Sequence, residues 1–322
     1  MSKASLLLLW LCCLVPSPQG INPGFVGRIS KKGLDYARQQ GVAALQETLA
    51  TITLPEFSGS FRVKVIGKVN YKFYSLNIRK FELFHSVIES VPGKGLRVSI
   101  SNAAAELTGR WEVKKRWFKD HGSFDLKVEG ISISVDLKLD SDATGRLAVT
   151  TLDCSTRISS VDIHISGSLD WLYNLFHNAI ESAFRRAMED KVCEIVRSSV
   201  SSRLQPYLQS LPVTASIDRT ASIDYSLVGP PVATSDCVDL DLKGEFFSTT
   251  HRSPAPFPPP ALALPVDHDR MIYFGISTYF FNTAGNVYYR AESLTFWVTD
   301  NMVPKEFKIR LNTTSFEPFI PQ

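Results

Sequence analysis

The run that best indicates the fold is Ile131-Ser-Ile-Ser-Val-Asp-Leu-Lys-Leu139, in which apolar and polar residues alternate without interruption. Successive side chains of a β-strand point to opposite faces, so this pattern predicts a strand with one apolar and one solvated face. The same alternation recurs between Phe61 and Ile165. We therefore expect a series of long antiparallel strands over this region.

Helical patterns flank the strands on both sides. Apolar residues recur at spacings of three to five over Arg28–Thr51, and Pro55 follows. Over Asp170–Leu204 they recur every four residues, which predicts a helix about 50 Å long that Pro206 ends. So long a helix needs an equally long apolar surface, which a strongly bent sheet supplies. We therefore expect an α+β fold, an elongated barrel of twisted antiparallel sheet wrapped on long helices.

The second part of the chain is shorter and more varied. A further set of strands is predicted from Ala215 to Phe247, followed by a stiff proline-rich linker at residues 251–268. After the linker we expect an aromatic, partly helical segment through Ala291 and then short strands to the end.

The first twenty residues indicate a secretory signal rather than a part of the fold. Lys3 precedes the apolar run Leu6–Val15, and small or turn-forming residues follow to Gly20. The alternative is a membrane anchor, but ten apolar residues are too few to span a bilayer. We therefore expect a secreted, extracellular protein, with Asn312 as a predicted glycosylation site because it begins Asn-Thr-Thr.

Three cysteines remain once this segment is removed: Cys154, Cys193 and Cys237. In an oxidising compartment two of the three should pair. A bridge between Cys154 and Cys193 would fasten a predicted strand to the long predicted helix and leave Cys237 free. Metal binding is not expected, because no cysteine or histidine pair has ligand spacing.

No catalytic constellation is evident. The sequence has no G-x-S-x-G, H-E-x-x-H, C-x-x-C or phosphate-binding glycine loop. The six histidines are scattered, and His268 and Asp269 are adjacent, so on a strand they would face opposite ways. We predict that the protein is not an enzyme, with a lipase as the remote alternative, and that it binds a partner.

Positive charge is concentrated in one window. Between Arg62 and Lys119 there are thirteen Lys or Arg against four Glu, a local charge of +9 in a chain whose total is +3. Within it, the run Gly109–Asp120 interleaves five cations with Trp111, Trp117 and Phe118. The window could simply be the solvated face of a sheet. Exposed-looking aromatics beside uncompensated cations instead favour an amphiphilic anionic partner such as a lipid. Nucleic acid also suits this composition, but secretion makes it the poorer candidate.

The apolar stripes on the strands and helices allow two interpretations. They can fill one another as a dry core, or they can leave a tunnel suited to acyl chains. Periodicity alone does not separate the two.

Four runs resemble a known family, that of bactericidal permeability-increasing protein and lipopolysaccharide-binding protein. They are Asn22–Ala37 (NPGFVGRISKKGLDYA), Phe124–Leu139 (FDLKVEGISISVDLKL), Val200–Tyr207 (VSSRLQPY) and Tyr279–Gly285 (YFFNTAG). The resemblance extends from Ile21 to the end of the chain, with the bactericidal member as the nearer of the two.

The resemblance implies two barrels joined by a central sheet and a proline linker, each with an apolar pocket for a phospholipid. It implies that Cys154 pairs with Cys193. It also implies a basic tip on the first barrel that binds lipid A. The cations that map to this tip are Arg62, Lys64, Lys68, Arg110, Lys115, Arg116 and Lys119. Lys114 belongs to the same run, and Trp111, Trp117 and Phe118 are expected to engage acyl chains.

Two departures from the family pattern qualify these expectations. Glu112 stands where the bactericidal member has a cation. The chain ends early in the second half, so we expect a barrel with part of the central sheet at residues 21–250 and an incomplete second barrel at residues 269–322.

The predicted function is that of a secreted antibacterial protein of innate immunity. We expect it to bind lipopolysaccharide and the outer membrane of Gram-negative bacteria as a monomer, with bound phospholipid and no other cofactor. The alternative is transfer of lipopolysaccharide or phospholipid to a receptor. In the family the second half serves that transfer, so an incomplete second half favours direct binding.

Overall fold

A computed structural model describes residues 22–51, 54–63, 67–166, 177–265, 269–307, 310–311, 313 and 317 of the chain. The predicted secretory signal lies outside the described residues, as do Lys64 and the predicted glycosylation site at Asn312.

A six-stranded antiparallel sheet makes up most of the first part of the chain. Its strands are β2 (Phe57–Val63), β3 (Gly67–Glu82), β4 (His85–Val91), β5 (Gly95–Lys115), β6 (Phe118–Ser141) and β7 (Leu147–Ser166). Their hydrogen-bonded order is β2-β3-β5-β6-β7, with β4 paired to the first half of β5. The predicted strand region is confirmed, and it begins four residues earlier than expected. Register shifts within the β3–β5 and β5–β6 pairs mark bulges, which bend long strands.

The inner face of this sheet packs against helices. Helix α2 (His177–Ser199) places Phe184 between two strands, with ring centroids 5.1 Å from Phe73 and 5.5 Å from Phe124. These three side chains are among the most deeply buried in the molecule. The expected α+β fold, antiparallel sheet wrapped on helices, is confirmed.

The first helix begins later than predicted. Strand β1 (Phe25–Ser30) occupies the start of the predicted region, and helix α1 spans Lys31–Ala50. Ser30 caps the helix, because its hydroxyl accepts a hydrogen bond from the Gly33 N–H at 3.5 Å. The predicted start at Arg28 is therefore wrong, since the backbone before Ser30 pairs with two neighbouring strands.

Helical structure continues beyond the predicted end of the long helix. After α2, a π-helical segment covers Val200–Leu204 and helix α3 covers Gln205–Ser210. Pro206 lies in the first turn of α3, directly after the π-helical segment. It therefore does not end the helical region, as the sequence had suggested. Residues 167–176 lie outside the described part, so the predicted start at Asp170 stays a prediction.

Side chains from these helices cover the edge of the sheet at β7. The Glu189 carboxylate accepts a hydrogen bond from the Ile158 N–H at 2.9 Å. The Gln205 side chain accepts one from the Val149 N–H at 2.6 Å. Two N–H groups of this edge strand thus find partners on helices instead of on another strand.

A disulfide fastens the same helix to the same strand. Cys154 of β7 and Cys193 of α2 are joined with an S–S distance of 2.05 Å, which confirms the expected pair. Cys237 is free and buried.

Two smaller sheets follow. Their strands are β8 (Thr214–Ser216), β9 (Ala221–Asp224), β10 (Val232–Ala233), β11 (Cys237–Leu242), β12 (Glu245–Ser248) and β13 (Ile272–Ile276). One sheet has the order β10-β11-β1-β13 and the other β12-β9-β8. The predicted second strand set, Ala215 to Phe247, is confirmed. Residues 251–265 of the linker have neither helix nor strand.

The segment after the linker contains β13 and helix α4 (Thr278–Arg290), so the predicted helical segment is confirmed. Within the described residues beyond Arg290 there is no strand, and regular structure consists of a 3₁₀ turn at Asp300–Met302 and 3₁₀ geometry at Thr313. The predicted short strands are therefore wrong for this part of the chain.

Candidate functional site

Two strand ends lie side by side at one end of the six-stranded sheet. In the β5–β6 hairpin, Lys115 pairs with Phe118 and leaves two residues for the turn. In the neighbouring β2–β3 pair, Val63 lies opposite Gly67. We call this end of the sheet the basic tip. Its described cations are Arg62, Lys68, Arg110, Lys114, Lys115, Arg116 and Lys119.

Strand register brings cations from distant parts of the sequence together on the outer face of the tip. Arg62 lies directly opposite Lys68, and Lys114 lies directly opposite Lys119. Asn70, two residues after Lys68, lies opposite Lys114, so the two cationic pairs are neighbours. All four cations are exposed.

This arrangement is unfavourable for folding. Like charges directly opposite each other on neighbouring strands destabilise a sheet. Within the described part of the chain, Arg62, Lys68, Lys114 and Arg116 form no ion pair. The fold itself gains nothing from this concentration of charge, which points to an anionic ligand.

One acid interrupts the outer face. Glu112 lies opposite Lys72 on β3 and opposite His121 on β6. Its carboxylate is 3.0 Å from the Lys119 ammonium. The hydrogen bond from Lys119, assisted by the charges of Lys114 and His121, holds the pKa of Glu112 below its ordinary value. Glu112 is therefore ionised near neutral pH and acts as an internal counter-ion of the tip.

Trp117 stands at the turn of the hairpin with 69% of its surface exposed. Its ring centroid is 5.6 Å from the Lys115 ammonium and 5.0 Å from the Phe118 ring. Phe118 is half-buried and packs against the core. The tip thus combines one freely exposed indole with cations, and the indole has the amphipathic character of residues at membrane interfaces.

Trp111 does not belong to this exposed group, and its expected exposure is wrong. It lies on the inner face with only 3% of its surface exposed, and its Nε1 donates to the carbonyls of Ser123 and Ser166 at 3.2 and 3.3 Å. The alternation Arg110-Trp111-Glu112-Val113 places Trp111 on the same face as Val113. That alternation could have revealed the error.

Lys72 is a further cation of the same outer face, which the sequence analysis did not assign to the tip. It projects from β3 opposite Glu112, lies 5.4 Å from the Tyr74 ring and pairs with Glu56 at 2.5 Å. Its spacing of four residues from Lys68 on a strand predicts the same face, so the signal was available.

The inner side of the sheet is only partly covered by helix α1. Of its twenty residues, Gly33, Leu34 and Leu49 are buried, while Val42 and Leu45 of its apolar stripe are half-buried. Aliphatic surface therefore remains accessible along this helix.

The described residues offer no metal-binding cluster, and no described helix is long and apolar enough to cross a bilayer. The nearest approach of a described histidine to a carboxylate is His164 to Asp162 at 3.5 Å, and both side chains are largely exposed. Among the described residues, surface cavities of about 290, 210 and 260 Å³ are lined by charged as well as apolar side chains.

Comparison with protein families gives two matches. Residues 33–207 match the N-terminal domain of the LBP / BPI / CETP family, and residues 215–322 match its C-terminal domain. The two matches divide the chain between residues 207 and 215, ahead of the linker at 251–268. The domain limits therefore stay a prediction.

Individual relatives are similar over almost the whole chain. Human lipopolysaccharide-binding protein is 50% identical over 318 residues, which cover 99% of this chain and 66% of the human protein. Rat bactericidal permeability-increasing protein is 42% identical over 302 residues, 94% of this chain and 63% of the rat protein. Identity is thus higher to the lipopolysaccharide-binding relative, the reverse of the expected order.

A solved structure shows the same similarity. A crystal structure of lipopolysaccharide binding protein superposes with a TM-score of 0.75 at 50% identity, covering 94% of this chain and 66% of that one. The chain spans about two thirds of the length of the relatives it matches.

Proposed function

The chain belongs to the LBP / BPI / CETP family, and from that premise we propose that it is a secreted protein that binds lipopolysaccharide through the basic tip. The observation that carries the proposal is the pairing of Arg62 with Lys68 and of Lys114 with Lys119 on one exposed face. The names of its relatives, lipopolysaccharide-binding protein and bactericidal permeability-increasing protein, supply the ligand class.

The ligand would contact the tip through its phosphates and through its acyl chains. Lipid A phosphates would accept charge-assisted hydrogen bonds from the outer-face cations. The exposed Trp117 ring would enter the boundary between head groups and acyl chains, supported by Phe118 behind it. Both contacts are non-covalent, and the proposed activity is binding without catalysis.

An antibacterial effect follows from the same chemistry. Divalent cations bridge neighbouring lipopolysaccharide molecules in the Gram-negative outer membrane, and the tip cations would displace them. The disulfide between Cys154 and Cys193 supports an oxidising, extracellular location. Transfer of the lipid to a receptor, the alternative from the sequence, has no feature of the described residues in its favour.

We further propose that a phospholipid lies along the apolar stripe of α1. The stripe is only half-buried at Val42 and Leu45, so an acyl chain would complete its burial. Native mass spectrometry of the purified protein tests this point, because co-purified phospholipid adds a discrete mass and its absence contradicts the proposal.

The tip is tested by neutralising three cations that form no ion pair, in the triple variant Lys68→Gln, Lys114→Gln, Arg116→Gln. We expect binding to immobilised lipopolysaccharide to weaken about ten- to a hundredfold at low salt, the product of three exposed charge contacts. The dependence of affinity on salt should flatten as well.

The matched control is a second triple variant, whose three lysines project from the same sheet and already have acidic partners. It combines Lys80→Gln, Lys127→Gln and Lys138→Gln, which pair with Glu82, Glu129 and Asp140. It loses the same formal charge and should retain its affinity within about threefold. An equal loss of affinity in the two variants would show that binding depends on net charge and not on the tip. Unchanged affinity in the first variant would refute the tip as the binding site.

A further inference from the structure

His121 lies on the outer face of the six-stranded sheet, two residues along β6 from Lys119 of the basic tip. Strand register sets His121 directly opposite Glu112, which lies in turn opposite Lys72. Residues opposite each other on antiparallel strands have Cβ atoms about 4.5–5.5 Å apart, so the imidazole and the carboxylate are immediate neighbours. The side chain of His121 is exposed, and its ring is therefore accessible to a ligand that the tip binds.

Strand β5 supplies the charges across the strand pair from His121. Glu112 lies opposite the ring, and Arg110 and Lys114 occupy the diagonal positions on the same face. The pKa of Glu112 is lowered chiefly by its hydrogen bond from Lys119, and the charges of Lys114 and His121 contribute. The carboxylate is thus close enough to attract a protonated ring at His121.

Strands β6 and β7 complete the surroundings of the ring. Lys119 shares the outer face with His121, and the Asp120 carboxylate accepts the His121 backbone N–H at 2.9 Å. The part of β7 that the structure describes ends at Ser166, which lies opposite Ser123 and is uncharged. Three cations and two carboxylates therefore surround the ring. This small excess of positive charge favours an anionic ligand, and a bound phosphate would favour the imidazolium over the neutral ring.

A histidine in this position changes its charge under mild conditions. Imidazole is the side chain that gains or loses a proton between about pH 5 and about pH 8. The neutral ring has a single N–H donor, whereas the imidazolium has a second donor and a positive charge. The Lys and Arg side chains of the tip stay charged throughout this range. His121 therefore adds a charge that depends on pH to a site whose other cations are constant.

We propose that His121 is a further ligand-binding residue of the basic tip, and that its protonation strengthens the binding of phosphorylated lipid. This inference rests on the proposed function of the tip and names a group that regulates it. The imidazolium would donate a charge-assisted hydrogen bond to a ligand phosphate. It would also compete with Lys119 for the Glu112 carboxylate, so that the lysine becomes available to the ligand.

His164 offers a matched comparison on the same sheet. It is exposed on β7, lies opposite Asp125, and its ring is 3.5 Å from the Asp162 carboxylate. Both of these neighbours are acids, and His164 lies away from the tip. Its protonation would therefore complete an internal ion pair and would present no additional charge to a phosphate at the tip.

Binding to immobilised lipopolysaccharide in low salt, at about pH 8 and about pH 5.5, tests the inference. Phosphates of the ligand also titrate in this range, so each variant is compared with the native chain at the same pH. For His121→Gln, the affinity of the native chain divided by that of the variant should be about one at the higher pH. At the lower pH it should rise to as much as about fivefold, the ratio that one exposed charge contact contributes. For His164→Gln the ratio should stay at about one throughout.

A second variant fixes the charge at position 121. His121→Arg is charged at both pH values, so it should bind up to about fivefold more tightly than the native chain at the higher pH and about equally at the lower one. Circular dichroism verifies that the variants are folded, which the exposure of His121 favours.

The outcomes separate this inference from the proposed function of the tip. If the native chain binds but the ratio for His121→Gln does not change with pH, or if His164→Gln shows the same change, the role of His121 is overturned and the tip stands. A native chain that binds at neither pH refutes the function of the tip, and the role of His121 with it.

Discussion

Replacing Glu112 by Gln should strengthen the interaction of the basic tip with lipopolysaccharide. The carboxylate is 3.0 Å from the Lys119 ammonium and lies between Lys72 and His121 on the outer face. Its removal frees Lys119 for a phosphate and raises the charge of the seven-cation tip from +6 to +7. The expected gain is up to about fivefold in affinity at low salt, the ratio that one exposed ion pair commonly contributes.

The same change should have a small opposite effect on the fold. Because the pKa of Glu112 lies below its ordinary value, its ion pair stabilises the folded chain above the ordinary glutamate pKa. That contribution is lost as pH falls through the lowered value. Glu112→Gln should therefore be slightly less stable than the native chain near neutral pH and equal to it in strong acid.

Calorimetric titration with lipopolysaccharide, at low and high salt, measures the affinity. The control is Glu82→Gln, which removes an exposed partner of Lys80 on the same sheet away from the tip. The double variant Glu112→Gln, Lys119→Gln decides the mechanism, because the gain should shrink when Lys119 is absent. Weaker binding in Glu112→Gln, or a full gain without Lys119, would refute the counter-ion role.

Three further outcomes are expected. Replacing Cys154 and Cys193 together by Ser should lower the free energy of unfolding by about 4 kcal/mol in a denaturant titration, from the loop entropy of the 39-residue separation; unchanged stability would contradict this. Trp111→Ala should destabilise the fold by about 3–5 kcal/mol because the ring is buried, whereas Trp117→Ala should leave thermal unfolding unchanged and weaken lipopolysaccharide binding. The pKa of Asp224 is lowered, since hydrogen bonds from Ser226 and two nearby cations outweigh burial, so thermal stability should fall as pH drops below the ordinary aspartate value. Asp224→Asn should reduce this loss of thermal stability in acid. An unchanged dependence of stability on pH would contradict the role given to Asp224.

The faces of the strands were predictable from the sequence because alternation is a local property. Ile131 and Ile133 lie on the buried face, as their spacing of two requires. Trp111 was expected to be exposed because of the basic and aromatic composition of its run, whereas the alternation of its strand places it on the buried face. The three residues from Arg28 to Ser30 show a different limit, because β1 is held by partners more than 200 residues away. The helical pattern of the sequence therefore continued into residues that form the end of β1.

The composition of the site was predictable, and its arrangement was not. A charge count identifies the window from Arg62 to Lys119, yet no local feature places Asn70 opposite Lys114. That neighbourhood depends on pairing between strands some forty residues apart. The Glu112–Lys119 ion pair also depends on strand pairing, since its two residues lie on the two strands of the β5–β6 hairpin.

The hydrogen bonds from β7 to Glu189 and Gln205 have a consequence for the protein outside its native state. Should α2 and α3 detach, the twenty-residue strand β7 would lose both partners and become an open edge of the kind from which cross-β aggregates grow. The disulfide to Cys193 keeps the helix beside that strand even when the helix loosens. Reduction should therefore appear first as a loss of solubility on warming, ahead of any loss of secondary structure. The covalent bond then protects against aggregation as much as against unfolding.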